Sequence, residues 1–260
     1  MNFAHRTPYY EPSGEMPLKG TLLYISAGMA ATFILGVVFS LLALFAASIW
    51  LKLIFVFFTL FAIAEAFVFA WLVRWCHLRS PLMVVVFSIV ALASGMCAVC
   101  LFQNRIFSSF AENDPHAWKA LAGESVIIAG FGIAAAFRSA RHPYSEARGQ
   151  WARALTLPYT IGFILDIQEA KTAFEKGDFS ILFKEMLKTE MPYSVLTLTC
   201  VEGDPDCCFL TIINHMKKEE DHHGNVNVKK RTVIRNVRIT LDDFRKIHAR
   251  FSPPATTPAT

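Results

Sequence analysis

The chain has 260 residues, of which 54% are hydrophobic and 23 are Phe, and its formal charge is +4. The apolar excess is concentrated before about residue 137, so two parts of similar length follow rather than one uniform core. Basic residues that flank apolar runs account for the positive charge and exclude an electrostatic case for nucleic-acid binding.

Residues 1–20 carry Pro8, Pro12 and Pro17 beside the pair Tyr9 and Tyr10 and are expected to form a disordered tail. Four long apolar runs come next, roughly Leu22–Ala47, Leu51–Val73, Leu82–Phe102 and Lys119–Phe137. Crossing a bilayer core takes about 20 apolar residues, so each run predicts a membrane-spanning helix. The first run starts too late and is too long for the apolar region of a signal peptide. Between the first two, Ala46 to Lys52 holds no Gly, Pro or Asn, which predicts a tight hairpin near Ser48–Lys52.

Each run has a face of small residues. Gly28, Thr32, Gly36 and Ser40 recur every fourth position in the first, and Ala62, Ala66 and Ala70 in the second. Ala91 and Gly95 share that spacing in the third, and Ser125, Ala129, Gly132 and Ala136 gather on one side of the fourth. Small faces let helix backbones approach closely in lipid, where dispersion and packing replace the hydrophobic effect, so a close-packed four-helix bundle is expected.

Two carboxylates interrupt this pattern. Glu65 lies near the middle of the second run, where an ionisable group costs about 2.5–3.5 kcal/mol and must be buried, partnered or neutral. Its expected role is structural, donating a hydrogen bond across the Ala62/Ala66 contact; proton handling or docking of another subunit are the alternatives. Glu124, near the outer end of the fourth run, is read as an interfacial ion-pair partner of Lys119 or Arg105. Cys97-Ala98-Val99-Cys100 near the outer end of the third run resembles the C-x-x-C of four-helix quinone-linked disulfide oxidoreductases. Their shuttle needs a second cysteine pair in an outer loop, and Asn104–Gly123 contains none.

After Phe137 a basic linker, 138–155, leads to Leu157–Ile167, which fits either a strand or a segment lying on the membrane. Gln168–Lys188 reads as helix broken at Lys176-Gly177-Asp178, with Asp178 capping the second piece. Tyr193–Val201 and Cys207–Met216 predict a hairpin through the turn Glu202–Asp206. A polar loop, Lys217–Asn225, precedes another β-rich run, Val226–Thr240, and a short helix begins at or beside Asp242 and ends at Arg250. The fold class is therefore a four-span bundle over 21–137 followed by a small cytoplasmic α+β domain with an antiparallel sheet over 156–251. Residues 252–260 close the chain as a second disordered tail.

Within this domain Cys200, Cys207, Cys208, His215, His222 and His223 have side chains that suit zinc, but no C-x-x-C knuckle joins them and neighbouring Cys207 and Cys208 point to opposite faces of a strand. No metal or other cofactor is predicted. Lys229, Lys230, Arg231, Arg235 and Arg238 make a basic ribbon suited to anionic lipid headgroups or an acidic protein partner. No phosphate-binding Gly-x-x-x-x-Gly-Lys motif accompanies it. Without a catalytic constellation, the predicted role is non-enzymatic: a scaffold or subunit of a larger membrane assembly, or an oligomer of this chain. A membrane sensor and a small proton-coupled transporter using Glu65 are the competing roles.

Orientation follows from Lys and Arg. The first tail (Arg6, Lys19), the second connection (Arg74, Arg79) and the segment after the fourth run (Arg138, Arg141, Arg148, Arg153) hold eight, against Lys52, Arg105 and Lys119 on the other side. The positive-inside rule places both termini in the cytoplasm, and the inner membrane is the expected location of the bundle. Reporter fusions after Pro81, His116 and Arg250 should read cytoplasm, outside and cytoplasm; an outside signal at Arg250 would exclude four spans.

Overall fold

The computed structural model describes residues 7–49, 51–111, 117–184, 187–188, 190–217 and 228–252. Within the helices, the side chains of residues 43–49, 51–55, 57–58, 99–100, 102–111, 117–122 and 124–125 lie outside this description. Two compact units result: Pro12–His142 forms one, and the residues up to Glu11 join those from Pro143 onward in the other.

The first unit is helical: α1 (Leu18–Ile49), α2 (Leu51–Trp75), α3 (Pro81–Ala111) and α4 (Ala117–Ala140). Pro81 opens α3 at the first helical position, where a missing N–H is harmless. Two stretches, Leu18–Leu42 and Pro81–Ala98, are long and apolar enough to cross a membrane by length and composition, and Val126–Ala140 is a shorter apolar helix. Helix α1 packs along α3 and α2 along α4. Tyr24, Phe69, Leu72, Val73, Leu78, Val84, Ala91 and Ala136 form the common core. The predicted hairpin apex falls on the boundary between α1 and α2, at Trp50, which lies outside the described residues.

The second unit contains the short strands β1 (Tyr144–Ser145), β2 (Gln150–Trp151), β3 (Arg153–Thr156) and β4 (Ile161–Gly162), then helices α5 (Ile167–Glu175) and α6 (Ser180–Lys184). The long strands β5 (Tyr193–Val201), β6 (Asp204–Lys217) and β7 (Val228–Arg238) follow, and α7 (Leu241–Phe251) ends it. β1 and β2 pair with each other; the main antiparallel sheet has the order β3-β5-β6-β7, with β4 also on β5. One face packs on α5, α7 and the 157–164 segment through Phe174, Leu196, Leu198, Leu210, Ile247 and Phe251. The other carries a smaller cluster of Ala152, Val201, Cys207 and Phe209.

Local chemistry explains the element ends. Asp166 caps α5 by accepting from Glu169 N at 2.8 Å, Asp178 accepts from Ser180 N at 2.9 Å at the start of α6, and Thr240 caps α7 by accepting from Asp243 N at 3.0 Å. Gly203, at φ +77, turns β5 into β6 with Val201 opposite Asp204, a tighter connection than the predicted Glu202–Asp206 turn. The predicted loop Lys217–Asn225 lies outside the described residues beyond Lys217, which ends β6.

Three expectations are corrected. Residues 7–20 are not a tail: Pro8–Tyr10 lie along the end of β7, and α1 begins at Leu18. The edge of β7 offers backbone partners that composition cannot reveal. The 138–155 stretch is not a linker, since α4 runs to Ala140 and β1, β2 and the start of β3 follow. Leu157–Ile167 is not a full strand: β4 covers only Ile161–Gly162 at its centre, and Leu157, Ile161 and Ile164 are buried in the sheet unit's core.

A buried polar pair pins that segment. Asn214 Nδ2 donates to Ile164 O at 2.8 Å, and Ser194 Oγ lies 2.5 Å from Asn214 Oδ1 and 3.1 Å from Gly162 O. Both side chains are fully buried. Asn214→Ala should leave these partners unsatisfied and destabilise the sheet unit by about 1–3 kcal/mol, read from denaturant unfolding of the detergent-solubilised protein.

Candidate functional site

Helices α1 and α3 meet through the small face seen in the sequence. A Cβ on Gly28 would stand 3.2 Å from Ala91 Cβ, one on Gly36 would stand 2.7 Å from Gly95 O, and one on Gly95 would stand 2.8 Å from Thr32 O. The two backbones are therefore in near contact. Thr32 Oγ1 sits 2.6 Å from Ala91 O and 2.9 Å from Ser94 Oγ, while Ser94 Oγ lies 2.9 Å from Met29 O. A turn and more away, Tyr24 OH and Ser88 Oγ are 2.6 Å apart and buried. Ser40, also buried, donates to Gly36 O of its own helix at 2.8 Å. Tyr24, Ser88 and Ser94 were not singled out from the sequence; their signal was a hydroxyl on each helix in phase with the glycine stripe.

Between α2 and α4, a Cβ on Gly132 would stand 3.1 Å from the Phe69 ring and 3.8 Å from Glu65 Oε2. Ala62 is buried, and Ala66 and Ala129 are half-buried along the same helices. Glu65 is only 2% exposed. Its Oε2 has no hydrogen-bond partner among the described residues. Among the described residues Oε2 thus does not make the predicted hydrogen bond: Gly132 of α4, across from it, has no side chain, and Phe69, one turn along α2, offers no acceptor. Interhelical hydrogen bonding resides instead in the Thr32/Ser94 and Tyr24/Ser88 groups. The side chains of Glu124 and Ser125 lie outside the described residues, as does that of Cys100; Cys97 is exposed and unbridged.

In the sheet unit the thiols are spread over both faces. Burial, then Asp204, pushes the Cys207 thiol up to about 12, and burial, then Cys200, pushes Cys208 up to about 11. Both shifts disfavour the thiolate, the nucleophilic form, at neutral pH. Among the described residues no three His, Cys, Asp or Glu side chains gather as a metal site; His222 and His223 lie outside them.

The basic ribbon divides in two. Lys229, Lys230, Arg231 and Arg235 are exposed on β7, the last strand of the sheet. Arg238 is consumed locally: Nη1 donates to Asp206 O at 2.7 Å and the guanidinium lies 5.4 Å from the Phe209 ring centre. Lys230 stands opposite His215, and burial, then the Lys230 charge, holds the His215 imidazole below its usual range.

At the far end of β7 the 7–11 segment acts as a strap. Arg238 N donates to Pro8 O at 2.7 Å and Tyr10 N donates to Asn236 O at 2.9 Å, with Tyr9 opposite Val237. Tyr9 OH donates to Glu175 Oε1 at 2.7 Å, and the Tyr10 ring meets Phe209 edge-on at 5.3 Å. A cleft of about 570 Å³ opens beside it, lined by residues including Thr7, Glu175, Arg238 and Asp243. Glu175 and Asp243 are already engaged, by Tyr9 and by the α7 cap.

No protein-family model, curated protein or solved structure matches this chain.

The α1–α3 contact can be tested directly. Gly95→Ala should force the helices apart and lower stability in detergent by about 1–3 kcal/mol, as overpacking does. Gly130→Ala, whose Cβ would meet nothing within 4 Å, is the control. Equal melting of the two variants would rule out the close approach as a stabilising contact.

Proposed function

We propose that this chain is a four-span protein of the inner membrane, with both termini and the sheet unit in the cytoplasm, serving as a scaffold or subunit of a membrane assembly. The carrying observation is the outward surface of the helices. Large apolar side chains face outward on all four, among them Ile34 and Leu41 of α1, Ile63 and Phe67 of α2, Leu82 and Ile89 of α3, and Val126 and Phe131 of α4, with Leu82 73% and Phe67 72% exposed. Thr32, Ser40, Glu65 and Ser88 are meanwhile buried. Water penalises exposed apolar surface by about 25 cal/mol per Å², whereas lipid does not, so this distribution suits hydrocarbon.

Connectivity supports an even number of crossings. The chain leaves the sheet unit after Glu11 and re-enters it at Pro143, so both points lie on one side of any membrane that the intervening helices cross. Four spans meet this condition and agree with the eight-to-three distribution of Lys and Arg.

Interaction is favoured over chemistry by what fills each unit. Small-residue contacts and hydroxyl bridges occupy the helix interfaces, and the sheet unit presents a cationic edge on which no strand pairs from Val228 to Arg235 among the described residues. A second role, proton coupling, is favoured by one observation, the enclosed Glu65 carboxyl, whose Oε2 has no hydrogen-bond partner among the described residues.

Capture of the tagged protein in mild detergent separates the two. The scaffold role expects stoichiometric partners with the parent chain and undiminished capture with Glu65→Gln and Glu65→Leu. Because Glu65 Oε2 has no hydrogen-bond partner among the described residues, the Leu variant should be at least as stable as the parent. A Gln variant that assembles normally but abolishes a proton-driven flux in proteoliposomes would replace the scaffold with the transporter.

A further inference from the structure

The outer edge of β7 carries the strap at one end. No strand pairs with this edge from Val228 to Arg235 among the described residues. At the other end, the strap already demonstrates that the edge accepts an antiparallel strand.

The strap stops there for local reasons. After Tyr10 N bonds Asn236 O, the return bond would use Asn236 N, but that group donates to Thr211 Oγ1 at 3.0 Å, with Asn236 held at φ +50. The next strap donor in this register would be Pro12, which has no N–H. Both chains therefore end the ladder at the same place, and the remaining edge is left to another occupant.

Charge specifies that occupant. Lys229 and Arg231 stand on one face of β7, Lys230 stands on the other, and Arg235 lies beyond the register shift near Ile212; all four are exposed.

We propose that the edge of β7 from Lys229 to Arg235 is a docking site at which an acidic strand of a partner protein adds to the sheet. Main-chain hydrogen bonds would supply the pairing and the four cations its selectivity. This deepens the scaffold reading and rests on it, by naming the chemistry of a partner.

The test uses the full chain in nanodiscs of phosphatidylcholine and a fluorescent peptide of alternating Glu and Val, about seven residues long to match the open edge. Saturable binding is expected, reduced by about tenfold or more in the double variant Arg231→Glu/Arg235→Glu, the scale of two lost charge-assisted contacts. The same peptide N-methylated at alternate amides should lose binding to a comparable extent; this arm leaves the protein unaltered and so does not depend on how the variant folds. Equal binding of the methylated peptide would overturn strand addition in favour of a simple cationic patch. Binding of anionic vesicles without binding of the peptide would assign the edge to lipid, and oligomerisation abolished by the double variant, again without peptide binding, would assign it to a second copy. No binding of any probe would leave the cations as guards against edge pairing and overturn the proposal. Partners captured equally by parent and double variant would sink this site while leaving the scaffold reading intact; peptide binding in a protein that captures no partner would do the reverse.

Discussion

The approach of α1 to α3 is limited by carbonyl oxygens rather than by side chains. At Gly36 and Gly95 a single added methyl group would stand under 3 Å from the opposite backbone. In the proposed lipid setting, burial of apolar area does not distinguish helix–helix from helix–lipid contact, so short-range dispersion and hydrogen bonds must hold the pair. Close approach supplies the first and makes the second geometrically available: only because the backbones nearly touch can Thr32 reach Ala91 O and Ser94 on the other helix. The large outward side chains need no specific partner in that solvent.

Glu65 stands apart from this arrangement. It is enclosed beside Phe69 and Gly132, and its Oε2 has no hydrogen-bond partner among the described residues. Buried polar groups are hydrogen-bonded in the great majority of cases, so an exception at the centre of a helix is a feature that scaffold packing alone does not require. That is the physical basis for keeping proton coupling as the competing role.

The sheet unit is closed by contributions from both ends of the chain. Its core is assembled from α5, α7 and the 157–164 segment on one face, and the strap is tied to the last strand by Tyr9 and Tyr10. The Tyr9 phenol, raised above its usual range by burial and then by Glu175, stays a donor to that carboxylate through the physiological range. In sequence terms the helices are an insertion in the sheet unit, so the segments before and after them must come together for that unit to close.

Composition and spacing alone determined a good deal. The helical runs, the Gly28/Thr32/Gly36 and Ala91/Gly95 faces, the break at Lys176-Gly177-Asp178, the strand Tyr193–Val201 and the closing helix are all legible because each rests on local periodicity, turn chemistry or capping. Tertiary structure decided the rest. The strap at Pro8–Tyr10 looks like a Pro-punctuated tail until the edge of β7, more than 200 residues away, provides its backbone partners. Leu157–Ile167 carries too weak a period to choose between strand and surface, and buried Asn214 and Ser194 choose for it. Glu65 was marked as costly by its position in the sequence, but whether it had a partner depended on what α4 placed opposite it. Periodicity shows which face of an element is buried; it does not show which atoms another element will bring to that face.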